Sequence, residues 1–132
     1  MTVIRKATCQ CGQLSVSCPG EPVRISMCHC LDCQRRTGSA YGIQARFPVD
    51  TVTISGDSKV FTRTADSGNQ LTFHFCPVCG STVHYQIATR PDLIAIPIGA
   101  FADPAFPPPT VSVYEARRHP WAKPTIPMDH FD

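Results

Sequence analysis

Three cysteines fall within six residues at Cys28-His29-Cys30-Leu31-Asp32-Cys33, and the basic, turn-forming stretch Gln34-Arg35-Arg36-Thr37-Gly38-Ser39 follows at once. If Met27 to Cys30 is extended, period-2 alternation puts Cys28 and Cys30 on one face and His29 on the other. A turn through Leu31 and Asp32 then returns Cys33 to the same point. Three soft ligands converge there on one metal, with the fourth position unassigned. Zinc sites with three protein ligands and one open position are the working ones.

Four more cysteines read as a separate site. Cys9-Gln10-Cys11-Gly12 near the start and Cys76-Pro77-Val78-Cys79-Gly80 far downstream are two pairs. In the second, Pro77 fixes a backbone angle and Gly80 allows a tight return with backbone amides near sulfur. Together Cys9, Cys11, Cys76 and Cys79 make a closed tetrahedral site of four thiolates, a structural zinc that joins distant parts of the chain. Two zinc ions per chain are therefore expected.

Cys18 is the eighth cysteine. Leu14, Val16 and Cys18 alternate with Gln13, Ser15 and Ser17, so Cys18 continues an apolar strand face and reads as a small core hydrophobe. The alternative makes it a fourth ligand beside Cys28, Cys30 and Cys33, which would close the second site and leave both metals structural.

The chemistry of the open site follows from its ligands. A zinc held by three thiolates has lost much of its positive charge and acidifies a bound water less than one held by three histidines. Soft ligands favour a further sulfur, so a substrate thiol fits the fourth position better than hydrolysis does. Cys28, Cys30 and Cys33 are thus the candidate catalytic centre. Arg35 or Arg36 is a candidate for holding a substrate carboxylate through a bidentate contact, and Ser39 for orienting an aldehyde oxygen. Each has a plainer alternative as a solvated turn residue. Alternation points His29 away from the metal, toward a supporting or core role. His74 and His84 lie on strand faces flanking the second cysteine pair, where solvent exposure is expected.

The elements that must position these residues are mostly strands. At 132 residues with 42% hydrophobic content, the chain reads as one domain, 1–132, with a modest core. Thr2–Thr8 and Gly12–Cys18 flank the first cysteine pair as a hairpin, and Val23–Cys30 leads into the three-cysteine cluster. Leu31–Thr37 makes one or two helical turns stopped by Gly38. Ala40–Phe47 is extended, and Val52 and Ile54 mark a short strand. Lys59–Thr64 and Gln70–Phe75 pair around a polar loop. Val83, Tyr85 and Ile87 share a strand face, and Leu93–Ile98 is a buried strand. From about residue 101 to 132 prolines dominate, leaving room for one short strand at Val111–Glu115. That segment is expected to lie over the domain, pinned by Trp121 and Phe131.

The N-terminus lacks the apolar region of a secretory signal, and no apolar run approaches the roughly 20 residues needed to span a bilayer. A soluble, cytoplasmic protein is expected, in which clustered cysteines mean metal rather than a disulfide framework. The formal charge is +2. With seven thiolates and two zinc ions in place it falls slightly below zero, which is not the footprint of a nucleic-acid binder.

These residues resemble the family of glutathione-dependent formaldehyde-activating enzymes and the related centromere protein V proteins. The likeness rests on Cys9-Gln10-Cys11-Gly12, on Cys28-His29-Cys30-Leu31-Asp32-Cys33-Gln34-Arg35 with Gly38-Ser39, and on Phe75-Cys76-Pro77-Val78-Cys79-Gly80. Ile98-Gly99-Ala100-Phe101-Ala102-Asp103-Pro104 and the His119-Pro120-Trp121 region look like the family's downstream motifs. The resemblance implies a β-tent fold of antiparallel sheets with little helix, zinc sites split four plus three, and carbon–sulfur lyase activity. The implied substrates are a small, glutathione-like thiol and an aldehyde, or their S-hydroxymethyl adduct. Two other readings are a non-catalytic module in which zinc only holds the fold, and redox chemistry by Cys33 or Cys18.

Overall fold

A computed structural model of the chain describes residues 2–132. In chain order the strands are β1 (Ile4–Thr8), β2 (Ser15–Pro19), β3 (Arg24–Cys28), β4 (Gly42–Pro48), β5 (Thr53–Ser55) and β6 (Lys59–Thr64). They continue as β7 (Gln70–Phe75), β8 (Thr82–Ile87), β9 (Leu93–Pro97), β10 (Val111–Val113) and β11 (Asp129–His130). A helix, α1 (Leu31–Thr37), joins β3 to β4. The chain is mostly β, as its alternating patterns predict.

Two sheets form. The small one runs β1-β2-β5, and the large one runs β11-β10-β3-β4-β9-β8-β7-β6. The small sheet turns Ala7, Val16 and Cys18 inward, and the turn between its first two strands adds Cys9 and Leu14. They meet Ile25 and Ala45, Phe47, Val83, Ile94 and Ile96 from the large sheet, in one continuous core closed by Phe101 and Phe106. Burial of this apolar face is the main force holding the sheets together.

The other face of the large sheet carries the polar members of the same strands. On β3 and β4 the pairs Cys28↔Gly42, Ser26↔Gln44 and Arg24↔Arg46 stand opposite one another. Ile25, Ala45 and Phe47, which alternate with them, are the core members. A second cluster of Leu71, Phe73, Tyr85 and Ala95 lies farther along.

Three departures from the sequence patterns have physical causes. First, the large sheet is mixed: β10 pairs parallel to β3 and to β11, where antiparallel pairing was expected. The long proline-rich return before β10 permits this, since parallel neighbours need a crossover rather than a hairpin. Second, β8 does not keep one alternation. Phe75 faces Thr82 and His74 faces His84, so Val83 is an extra residue at a bulge. Val83 enters the main core and Tyr85 the second cluster, while His84 is buried, 4% exposed, rather than solvent-facing.

Third, Trp121 and Phe131 are not the pins of the tail, at 72% and 55% exposed. Backbone bonding holds it instead: the Phe131 N–H donates to Ser112 O at 2.8 Å and the Glu115 N–H to Phe131 O at 2.9 Å. Buried Phe106 and Ala122 add apolar contact. Among the described residues no helix is long and apolar enough to cross a membrane.

Candidate metal centre and the cavity beside it

The turn between β1 and β2 and the turn between β7 and β8 meet, bringing Cys9, Cys11, Cys76 and Cys79 together with sulfurs within 4.8 Å of one another. The Cys9–Cys11 and Cys11–Cys76 sulfur separations are both 3.6 Å. Four sulfurs about 2.3 Å from one zinc stand about 3.8 Å apart in a tetrahedron, so the donor set fits that ion. Backbone geometry serves the same end. The Leu14 N–H donates to Cys9 Sγ at 3.3 Å, and the Val78 and Cys79 N–H groups to Cys76 Sγ at 3.4 and 3.5 Å. Gly80 takes φ +80° and closes the turn by donating to Cys76 O. Hydrogen bonding with Ser81 is the main cause drawing the Cys79 thiol down to about 5, so it is ready to bind as thiolate.

Gln13 braces this site in a way that sequence patterns do not announce. Its Nε2 donates to Cys76 Sγ at 3.0 Å and to Asp57 O at 2.7 Å, while its Oε1 accepts from the Asp57 N–H at 2.9 Å.

The second cluster is local. Cys28 ends β3, Cys30 caps α1, and Cys33 lies in its first turn, with the three sulfurs again within 4.8 Å of one another. Cys30 Sγ accepts the Cys33 N–H at 3.3 Å, so a thiolate at Cys30 replaces the usual oxygen cap. Gly38 ends the helix at φ +66°, its N–H donating to Gln34 O. Hydrogen bonds from Cys28 and then Cys33, with the charge of Arg63 nearby, hold the Cys30 thiol far below its ordinary range. Cys28 is raised by the converse bonds to Cys30 and Cys33 and by burial. Three buried sulfurs this close together are a donor set that a bound cation would satisfy.

Cys18 is elsewhere: it is fully buried in the main core, its thiol raised to about 11 by burial. His29 is also fully buried and lies outside the sulfur cluster, its Nε2 3.0 Å from Ser112 Oγ on β10.

Beside the three sulfurs opens a cavity of about 270 Å³. Leu71, Tyr85 and Ile87 supply apolar wall, Val113 and Tyr114 pack against the cysteines, and the polar lining includes Arg24, Gln44, Arg46 and Arg63 together with Asp32 and Asp66. Arg63 is committed to Asp32 at 3.2 Å and stacks over Phe73. The arginines singled out by sequence sit differently. Arg35 is largely exposed and Arg36 lies over the rings of Phe73 and Tyr85, both lining a separate groove with Phe61. Ser39 is an exposed turn residue whose N–H donates to Thr37 Oγ1. Arg24, Gln44 and Arg46 are spread over two strands, and only the β3–β4 register brings them to one cavity.

Two facing sheets that gather seven cysteines into a four-sulfur and a three-sulfur cluster, the latter on an open cavity, define a β protein of metal-binding geometry. The family model for the glutathione-dependent formaldehyde-activating enzyme matches residues 4–117, and the chain belongs to that family. The matched span contains all seven clustered cysteines and stops before His119-Pro120-Trp121. A crystal structure of a Rhodobacter sphaeroides protein shares the fold, with a TM-score of 0.52 at 20% identity, over 72% of this chain and 85% of that one. No match was found among curated proteins.

Proposed function

We propose that the protein is a zinc-dependent carbon–sulfur lyase acting on a small thiol and an aldehyde or on their S-hydroxymethyl adduct. The observation that carries this reading is the position of Cys28, Cys30 and Cys33, whose sulfurs converge at the end of a 270 Å³ cavity. Cys9, Cys11, Cys76 and Cys79 would hold a structural zinc, and Cys28, Cys30 and Cys33 a second. When bound there, that second zinc supplies a soft Lewis-acid seat that stabilises a substrate thiolate near neutral pH.

The chain's own residues do the rest. The apolar wall of Leu71, Tyr85 and Ile87 limits water around the reacting carbon, which protects an adduct that water would otherwise exchange. The arginines that line the same cavity favour an anionic thiol over a neutral one. In the forward direction the thiolate sulfur bonds to the carbonyl carbon, the C=O π electrons move to oxygen, and the proton lost by the thiol is returned to that oxygen. In the reverse direction the C–S bond breaks and the aldehyde leaves. Glutathione, the thiol in the family's description, is the first candidate.

The test is exchange of ¹³C-formaldehyde with S-hydroxymethylglutathione followed by NMR, with the zinc-loaded protein. Exchange well above the uncatalysed rate, lost in Cys33→Ser, is expected. The uncatalysed rate with fully loaded protein, and a cobalt-substituted spectrum unmoved by glutathione, would reject the lyase reading.

A further inference from the structure

Arg24 and Arg46 face each other directly across the antiparallel β3–β4 pair. Like charges in that position are destabilising unless something compensates them. No carboxylate among the described residues does, since neither guanidinium forms an ion pair there. Both line the cavity beside the cysteines. Arg46 Nε is buried without a hydrogen-bond partner among the described residues, and burial followed by the charge of Arg24 lowers its pKa. One register step nearer the cysteines is Gln44, only 6% exposed, also lining the cavity, with its Oε1 unpartnered among the described residues. A buried amide oxygen and a buried guanidinium Nε left unsatisfied in one cavity lining mark a place where a ligand supplies the missing partners.

We propose that Arg24 and Arg46 are the carboxylate-recognition pair of this cavity, and that Gln44 hydrogen-bonds an amide of the ligand between them and the cysteines. The thiol substrate is then an anionic, peptide-like thiol rather than a small neutral one. Spacing supports this. Cys28 and Arg24 are four residues apart on one strand, about 13 Å between Cα atoms. Arg24 Nε donates to Ser26 Oγ at 2.8 Å, which leans its guanidinium toward the cysteine end. The remaining gap is about two to three extended residues, roughly 7–10 Å. Two further carboxylates, Asp32 and Asp66, line the cavity. Asp32 is neutralised by Arg63 at 3.2 Å, and Asp66 lies in the exposed β6–β7 loop, so neither offsets the Arg24–Arg46 pair.

The inference rests on the thiol-seat reading for its orientation, so its test uses a ligand without a thiol. S-methylglutathione and its diethyl ester, in which both carboxylates are blocked, are titrated calorimetrically into zinc-loaded wild type, Arg24→Gln and Arg46→Gln. Wild type is expected to bind the acid at least tenfold more tightly than the ester. Each substitution should weaken the acid about 10- to 100-fold, the range for a hydrogen bond to a charged group, and leave the ester unchanged. Both variants should melt no lower than wild type, because a like-charge pair has been relieved.

Equal binding of acid and ester by wild type, no binding of either, or undiminished binding of the acid by the variants would overturn the proposal. So would a fall in melting temperature with equal loss for both ligands, which would make the arginines wall residues. A thiol-seat failure reads out separately, as a cobalt spectrum unmoved by neutral 2-mercaptoethanol.

Discussion

Gln13 and Gly56 show how far single residues decide the closed site. Gly56 adopts φ +97°, and a Cβ there would lie 1.8 Å from the backbone oxygen of Gln13. The two segments approach this closely because the Gln13 side chain is clamped to Asp57 while it donates to Cys76 Sγ. Gly68 also has positive φ, +88°, but a Cβ there meets nothing within 4 Å. Gly68→Ala should therefore cost about 1 kcal/mol, from backbone conformation alone. Gly56→Ala should cost about 3 kcal/mol and speed zinc loss to a chelator, measured by urea denaturation and by a colorimetric zinc indicator. Equal urea midpoints for the two variants would mean the close approach does not support the site. Cys18 gives a second test at this scale. Placed in the fully buried core, Cys18→Ser should keep both metals and lose about 1–3 kcal/mol by burying a hydroxyl. Loss of one zinc in that variant would make Cys18 a ligand. The cysteine clusters were legible in the sequence because their spacing is local or in short pairs. Gln13 and Arg46 were not, since each acquires its role from a partner in another segment.

Among the elements, strands with strict alternation and the Gly38-capped helix were readable from chemistry along the chain. The departures arose where tertiary pairing overrides it: at the bulge in β8, and where β10 joins β3 in parallel after a proline-rich crossover. The bulge has a measurable consequence. His74 and His84 face each other across β7 and β8 with rings stacked 4.4 Å apart, and Ser58 Oγ lies 2.9 Å from His74 Nδ1. Burial and then the neighbouring His74 lower the His84 pKa from 6.5 to about 4. The folded state thus holds His84 neutral where the unfolded chain protonates it. Its stability contribution is complete above pH 6.5 and is lost as pH falls toward 4, on the order of 3 kcal/mol in all. Replacing His84 with Phe should flatten the stability–pH slope between 6.5 and 4 relative to wild type, as read from urea midpoints at each pH. A slope unchanged by the substitution would assign the acid sensitivity to the thiolates instead.

At the scale of the whole molecule, the two clusters have unequal duties because they close loops of unequal length. The four-sulfur set joins the β1–β2 turn of the small sheet to the β7–β8 turn of the large one, so its metal ties the two faces of the core together. The three-sulfur set spans only Cys28 to Cys33, within one strand end and the first turn of α1. Structural zinc contributes on the order of 10 kcal/mol in small zinc domains, which is as much as an entire domain's net stability. Cys79→Ser should therefore leave the protein largely insoluble or unfolded, and a strong chelator should unfold wild type. Cys33→Ser should remain folded: β3 keeps its ladders to β4 and β10, and Gln34 still links α1 to the tail through Arg117 O and His119, and to the segment after β3 through His29 O. Elemental analysis of that variant should give one zinc per chain where wild type gives two, with thiol binding abolished and the near-ultraviolet circular dichroism little changed. A soluble Cys79→Ser protein with two zincs would remove the structural role of the four-sulfur site. A Cys33→Ser protein that unfolds would show that the second metal also holds the fold, as a non-catalytic module requires.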